Sequence, residues 1–141
     1  MSSILVVDDM AALRSTIRAI LESDGHEVAE AKNGRRAIAA LAEGRFDIVM
    51  TDILMPESEG IELIRSLSGD PNLGIIAMSG GGSYISAAVS LELARASGAT
   101  RILRKPFRKP ELLAAVAAVV ALKASHPPPD PAAGARETLA P

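Results

Sequence analysis

The chain has 141 residues, enough for one domain with a sizeable core. Apolar residues make up 48% and charged ones 23%, the balance of an ordinary globule, and a net charge of −2 gives no global push towards nucleic acid or anionic lipid. The absence of cysteine excludes disulfide frameworks and thiolate-bound metals, His26 and His126 lie too far apart to suggest a metal pair, and Phe46, Tyr84 and Phe107 are the only aromatics, so the core falls to Leu, Ile, Val, Met and Ala.

Met1-Ser2-Ser3 passes straight into Ile4–Val7, without the basic lead or long apolar stretch of a signal peptide. Ile4–Val7 reads as a buried strand, followed by a helix with Met10, Leu13, Ile17, Ile20 and Leu21 on one face and Gly25 as its stop. Glu27–Ala31 is a weaker, more polar strand that suits a sheet edge. Asn33 caps a second helix carrying Ala37, Ile38 and Leu41, ended by Gly44. Phe46–Met50 is the next strand, and Ile61, Ile64 and Leu67 mark a third helix. Leu73–Met78 and, less purely, Thr100–Leu103 complete the strands. Between them Ile85, Ala88 and Val89 mark a fourth helix running to Gly98. Pro110 opens a fifth, Glu111–Lys123, with Leu112, Leu113, Val116, Val119 and Val120 towards the core. The longest apolar run, Leu112 to Leu122, falls well short of the roughly 20 residues that span a bilayer. From about Ala124 the pattern stops, and Pro127, Pro128, Pro129 and Pro131 mark 124–141 as a disordered tail behind a domain of residues 1–123.

Continuous apolar strands alternating with helices imply a parallel sheet covered on both faces. In such sheets function collects at the carboxyl ends of the strands. Those ends carry Asp8 and Asp9, then Asp52, Ser79 and Lys105. One strand-end aspartate often does no more than cap the next helix; four strands each delivering a polar group to one rim is a stronger signal. Three carboxylates against one lysine leave about −2, which a hard divalent cation such as Mg²⁺ compensates. Asp52 is then a candidate nucleophile towards a phosphoryl group, with Lys105 and the Ser79 hydroxyl holding the transferring oxygens.

These residues resemble the receiver domain of bacterial two-component response regulators. The matching positions are Val7-Asp8-Asp9, Asp52 followed by Met55-Pro56 and Gly60, Ser79 after an apolar strand, and Lys105-Pro106-Phe107, in order and in spacing over roughly residues 3–123. The resemblance implies a flavodoxin-like fold, five parallel strands in the order 2-1-3-4-5 with five helices. It implies that Asp52 is the phosphoacceptor and that Asp8, Asp9, Asp52 and the backbone carbonyl of Leu54 hold Mg²⁺. Lys105 would pair with the phosphoryl group, Ser79 would follow it on switching, and the bond before Pro106 would be cis. The partners it implies are a sensor histidine kinase or phosphotransfer protein and a downstream protein target. With no output domain after residue 123, the chain is expected to be a stand-alone, chemotaxis-regulator-like receiver. It would be cytoplasmic, a monomer or weak dimer, and would contact neither DNA nor membrane. It would not be an enzyme beyond its own phosphorylation and dephosphorylation.

Three positions depart from the family pattern. Ile102 stands where an aromatic switch residue is usual, Gly80-Gly81-Gly82 follows Ser79, and Glu57-Ser58-Glu59-Gly60 replaces a more common Met-Asp-Gly ending. A stiff β-branched side chain at 102 has no comparable swing, so switching is expected to run through residues 80–90, including Tyr84. Other readings fit less well. A haloacid-dehalogenase-type phosphatase would place its aspartates at alternate positions, and Asp8 and Asp9 are adjacent. A flavodoxin would not present Asp8-Asp9-Met10 to a phosphate, and no P-loop ending in Lys-Ser/Thr exists. The basic group Arg101, Arg104, Lys105, Arg108 and Lys109 lacks a helix-turn-helix beside it. The competing class is a receiver-shaped interaction module that is never phosphorylated.

Overall fold

Five strands, Ser3–Val7 (β1), Glu27–Ala31 (β2), Ile48–Asp52 (β3), Gly74–Ser79 (β4) and Arg101–Arg104 (β5), pair in parallel in the order β2-β1-β3-β4-β5. This is the flavodoxin-like order expected from the sequence. The computed structural model describes residues 2–53, 59–79 and 98–125. Four helices fall within them: Ala11–Ser23 (α1), Gly34–Glu43 (α2), Glu59–Leu67 (α3) and Lys109–Ser125 (α4). The helix expected from Ile85 to Gly98, the glycines at 80–82, Tyr84, Leu54 and the tail from residue 126 lie outside the described residues.

Strand alternation sorts the core into two layers. Ile4, Val6, Ile48, Met50, Ile76, Met78 and Leu103 face α1 and α4, against Ile17, Leu21, Leu112, Val116 and Val119. On the other face Leu5, Val7 and Val49 pack with Ala37 and Leu63, while Ile75 and Ala77 pack with Ile53 and Ile64. Each layer removes large aliphatic side chains wholly from water, and burial of one such side chain contributes about 1.5–3 kcal/mol.

Local chemistry sets the helix ends. Asn33 accepts the Arg36 amide at 2.8 Å through its side chain, the cap bond expected of it. Gly25 takes φ +91°, a left-handed turn that ends α1 cheaply only with glycine. Helix α4 continues to Ser125, since the first helix-breaking proline is Pro127. Val120, expected on its core side, is 39% exposed; Leu112, Val116 and Val119 already fill the stripe that faces the sheet. A Cβ on Gly74 would run into Val119 Cγ1, so α4 passes directly over the start of β4.

β3 differs from its expected span. It begins at Ile48 and carries Thr51 and Asp52, which pair with Ala77 and Met78 of β4. The ladder with β4 extends two residues beyond the apolar run, so two polar residues enter the sheet interior.

Candidate functional site

The three aspartates converge where β1 and β3 end side by side. Val7 of β1 pairs with Thr51 of β3, so the next residue along each strand is an aspartate. Asp8 and Asp52 share the parity of Val6 and Met50, and one carboxylate oxygen from each of Asp8, Asp9 and Asp52 lies within 4.8 Å of the others. Asp8 is fully buried, Asp52 is 7% exposed and Asp9 is open to solvent.

A buried carboxylate needs partners, and Asp8 has one for each oxygen. Oδ1 accepts the Met10 amide at 2.8 Å, just before α1, and Oδ2 accepts Lys105 Nζ at 2.9 Å. Lys105 also donates to Asp52 Oδ2 at 3.2 Å, so one ammonium ties the aspartate after β1 to the aspartate ending β3. Burial alone would lower the Lys105 pKa. The hydrogen bond to Asp8 and the charges of Asp52 and Asp8 more than offset that, and the ammonium titrates above its ordinary value.

Lys105 reaches the cluster from the end of β5. Its amide donates to the Ser79 carbonyl at 2.6 Å, and the Lys105–Pro106 peptide bond is cis. Ser79 is fully buried, with the parity of Ile75 and Ala77, which face α3. Its Oγ has no hydrogen-bond partner among the described residues. Ile102 packs partly buried against the cluster of Ile53, Ile64, Ile75 and Ala77.

Two supports hold the cluster in place, and of these Gly60 was named from the sequence only as part of the Asp52 motif, while Arg14 was not singled out. Gly60 of α3 lies so close to the Asp52 carbonyl that any Cβ would collide with it, and Ile53 O would be 2.6 Å away. Arg14 Nη1 donates to the Asp8 carbonyl at 2.6 Å. The readable signal for Arg14 was its place in the first turn of the helix that follows the acidic pair.

Three carboxylates against one ammonium leave a cation-seeking, all-oxygen donor set, which fits a hard divalent metal. A separate groove of about 350 Å³ between α2 and α3, lined by Gly34, Arg35, Ile38, Glu62, Leu63 and Ser66, shares no residue with it.

The family model for the response regulator receiver domain matches residues 4–117. A "Transcriptional regulatory protein CpxR homolog" from Haemophilus influenzae is 34% identical over 125 residues, covering 89% of this chain and 53% of that protein. Among solved structures, the chemotaxis response regulator CheY4 of Vibrio cholerae superposes with a TM-score of 0.73 at 30% identity, covering 84% of this chain and 98% of that one. A response regulator receiver domain protein from Clostridium thermocellum gives 0.76 at 29% identity, covering 87% and 97%. The chain spans about half the length of the curated relatives it matches.

Proposed function

The chain belongs to the response regulator receiver domain family, and from that premise we propose that Asp52 accepts a phosphoryl group in a Mg²⁺-dependent step. The observation that carries the proposal is the Lys105 ammonium bridging Asp8 and Asp52 beside a third carboxylate. An Asp52 carboxylate oxygen attacks phosphorus, and the bond from phosphorus to the donor nitrogen or oxygen breaks with its electron pair leaving on the donor. Lys105 then pairs with the new phosphoryl oxygens. Asp8, Asp9 and Asp52 would hold Mg²⁺, which when bound neutralises charge on the transferring group. The Leu54 carbonyl belongs to the proposed ligand set by its place in the motif.

Ser79 supplies a hydroxyl with no present partner among the described residues, available to a phosphoryl oxygen once one arrives. The donor is proposed to be a phosphohistidine of a sensor kinase or phosphotransfer protein, or a small acyl phosphate. The phosphorylated form is read by a partner protein, or the group is passed on.

Phosphotransfer assays test the reading. Labelling from acetyl phosphate or a phosphohistidine protein is expected to need Mg²⁺ and to vanish in Asp52→Asn. Undiminished labelling of that variant removes Asp52 from its role. A wild-type chain that neither labels nor binds beryllofluoride with Mg²⁺ belongs instead to the non-phosphorylated class of interaction module.

A further inference from the structure

Every polar group of Asp8 is engaged by a different part of the fold. Its amide donates to Ala31 O of β2 at 3.2 Å, its two carboxylate oxygens take Met10 N and Lys105 Nζ, and its carbonyl takes Arg14 Nη1 at 2.6 Å. That carbonyl belongs to the peptide joining Asp8 to Asp9. Arg14 is itself held: Nε donates to Glu30 Oε1 at 3.1 Å, and Glu30 Oε2 accepts Arg18 Nη1 at 3.2 Å. The Arg14 side chain is 15% exposed and that of Glu30 24%. Glu30 sits on β2, in register with Val6 of β1.

We propose that Arg14, fixed by Glu30, is a positioning residue for the acidic site. Its guanidinium sets the plane of the Asp8–Asp9 peptide and hence the direction in which the Asp9 carboxylate leaves the chain. Asp9 needs this most, because it is the exposed member of the three. The fork of an arginine spans a carbonyl and a carboxylate together, which a lysine ammonium on a flexible stem does not. The inference rests on the proposed Mg²⁺ reading of the site.

Arg14 also has an opposite effect, since its positive charge disfavours a nearby cation. Glu30 offsets that charge. Replacing both by neutral residues of similar size therefore removes the anchor and leaves the net charge unchanged.

The test uses the full chain and Mg²⁺ itself, titrated into the parent, Arg14→Met/Glu30→Gln and Arg14→Lys, with amide chemical shifts giving the dissociation constant. Thermal unfolding in chelator is recorded alongside. Loss of an outer partner of a metal ligand typically weakens metal binding 10–100-fold. The double variant is expected to bind Mg²⁺ about tenfold more weakly, at the low end of that range because the ligands remain. The Asp9 amide resonance should already be displaced without metal. Arg14→Lys should fall between it and the parent, and its milder change supplies the answer if the double variant does not fold. A dissociation constant within twofold of the parent's, for the double variant or, where that does not fold, for Arg14→Lys, overturns the proposal whatever happens to the melting temperature. A parent that shows no Mg²⁺ response overturns the site reading itself, and this inference with it.

Discussion

Ser79 ends β4 and Lys105 directly follows the neighbouring β5, and they stand in opposite electrostatic situations. The Ser79 hydroxyl is buried with no partner among the described residues, and such a group costs about 1–3 kcal/mol. Ser79→Ala is therefore expected to leave unphosphorylated stability unchanged or raise it by up to about 1 kcal/mol, while weakening any phosphoryl-stabilised state. Clear destabilisation in urea melts would mean the hydroxyl has a partner at rest. Lys105 is the reverse case, since its removal leaves Asp8 and Asp52 facing each other. Breaking a fully buried pair costs about 3–5 kcal/mol. With the lysine side chain 20% exposed and the Met10 amide retained, Lys105→Met should cost less, about 1–3 kcal/mol without metal. The folded pKa of Lys105 lies above its ordinary value of 10.5, so this contribution is complete below that pH and is lost as pH rises through the folded pKa. The stability gap between parent and variant should hold steady from neutral pH to about 10 and close above it. A gap that narrows already between pH 7 and 9 would contradict the assignment.

Helix α3 reaches the end of β3 through a position that admits only glycine. Gly60→Ala would push a methyl group into the Asp52 carbonyl, and the helix start or the strand end must then move. Overpacking of this kind costs about 1–3 kcal/mol. The variant should also lose phosphoryl acceptance, while Asn33→Ala, which costs about 1 kcal/mol at the α2 cap, should keep it. Equal labelling of Gly60→Ala and parent would separate the close contact from function. The central strands were legible because a parallel sheet covered on both faces writes them as continuous aliphatic runs. The end of β3 was not. Hydropathy stops at Met50, while the backbone ladder to Met78 of β4 carries on through Thr51 and Asp52. Val120 misled in the other direction: an apolar residue on an alanine-rich helix looks like core wherever it falls. The five polar residues at the strand ends were visible as types and positions. Their geometry was not, because the burial of Asp8 and the reach of Arg14 to its carbonyl depend on how α1 crosses the sheet.

Across the whole molecule the acidic rim concentrates unfavourable charge, which a bound cation would relieve. Mg²⁺ at a hundredfold excess over its dissociation constant should add about 2.7 kcal/mol to the folding free energy. The rise in melting temperature should disappear with chelator, and a melt indifferent to Mg²⁺ would argue against a metal site. The sheet also has a direction. All five strands point their carboxyl ends at the carboxylates, β1 starts at Ser3, and α4 runs back over the sheet until Val119 covers the start of β4. Ser2 and the last turns of α4 thus lie at the far rim, where the Ser2 amide donates to His26 Nδ1 at 3.1 Å. A handle attached at either side of the described core therefore leaves the pocket facing outward. The protein can be anchored to a sensor surface by that rim and still present the three carboxylates at the opposite one.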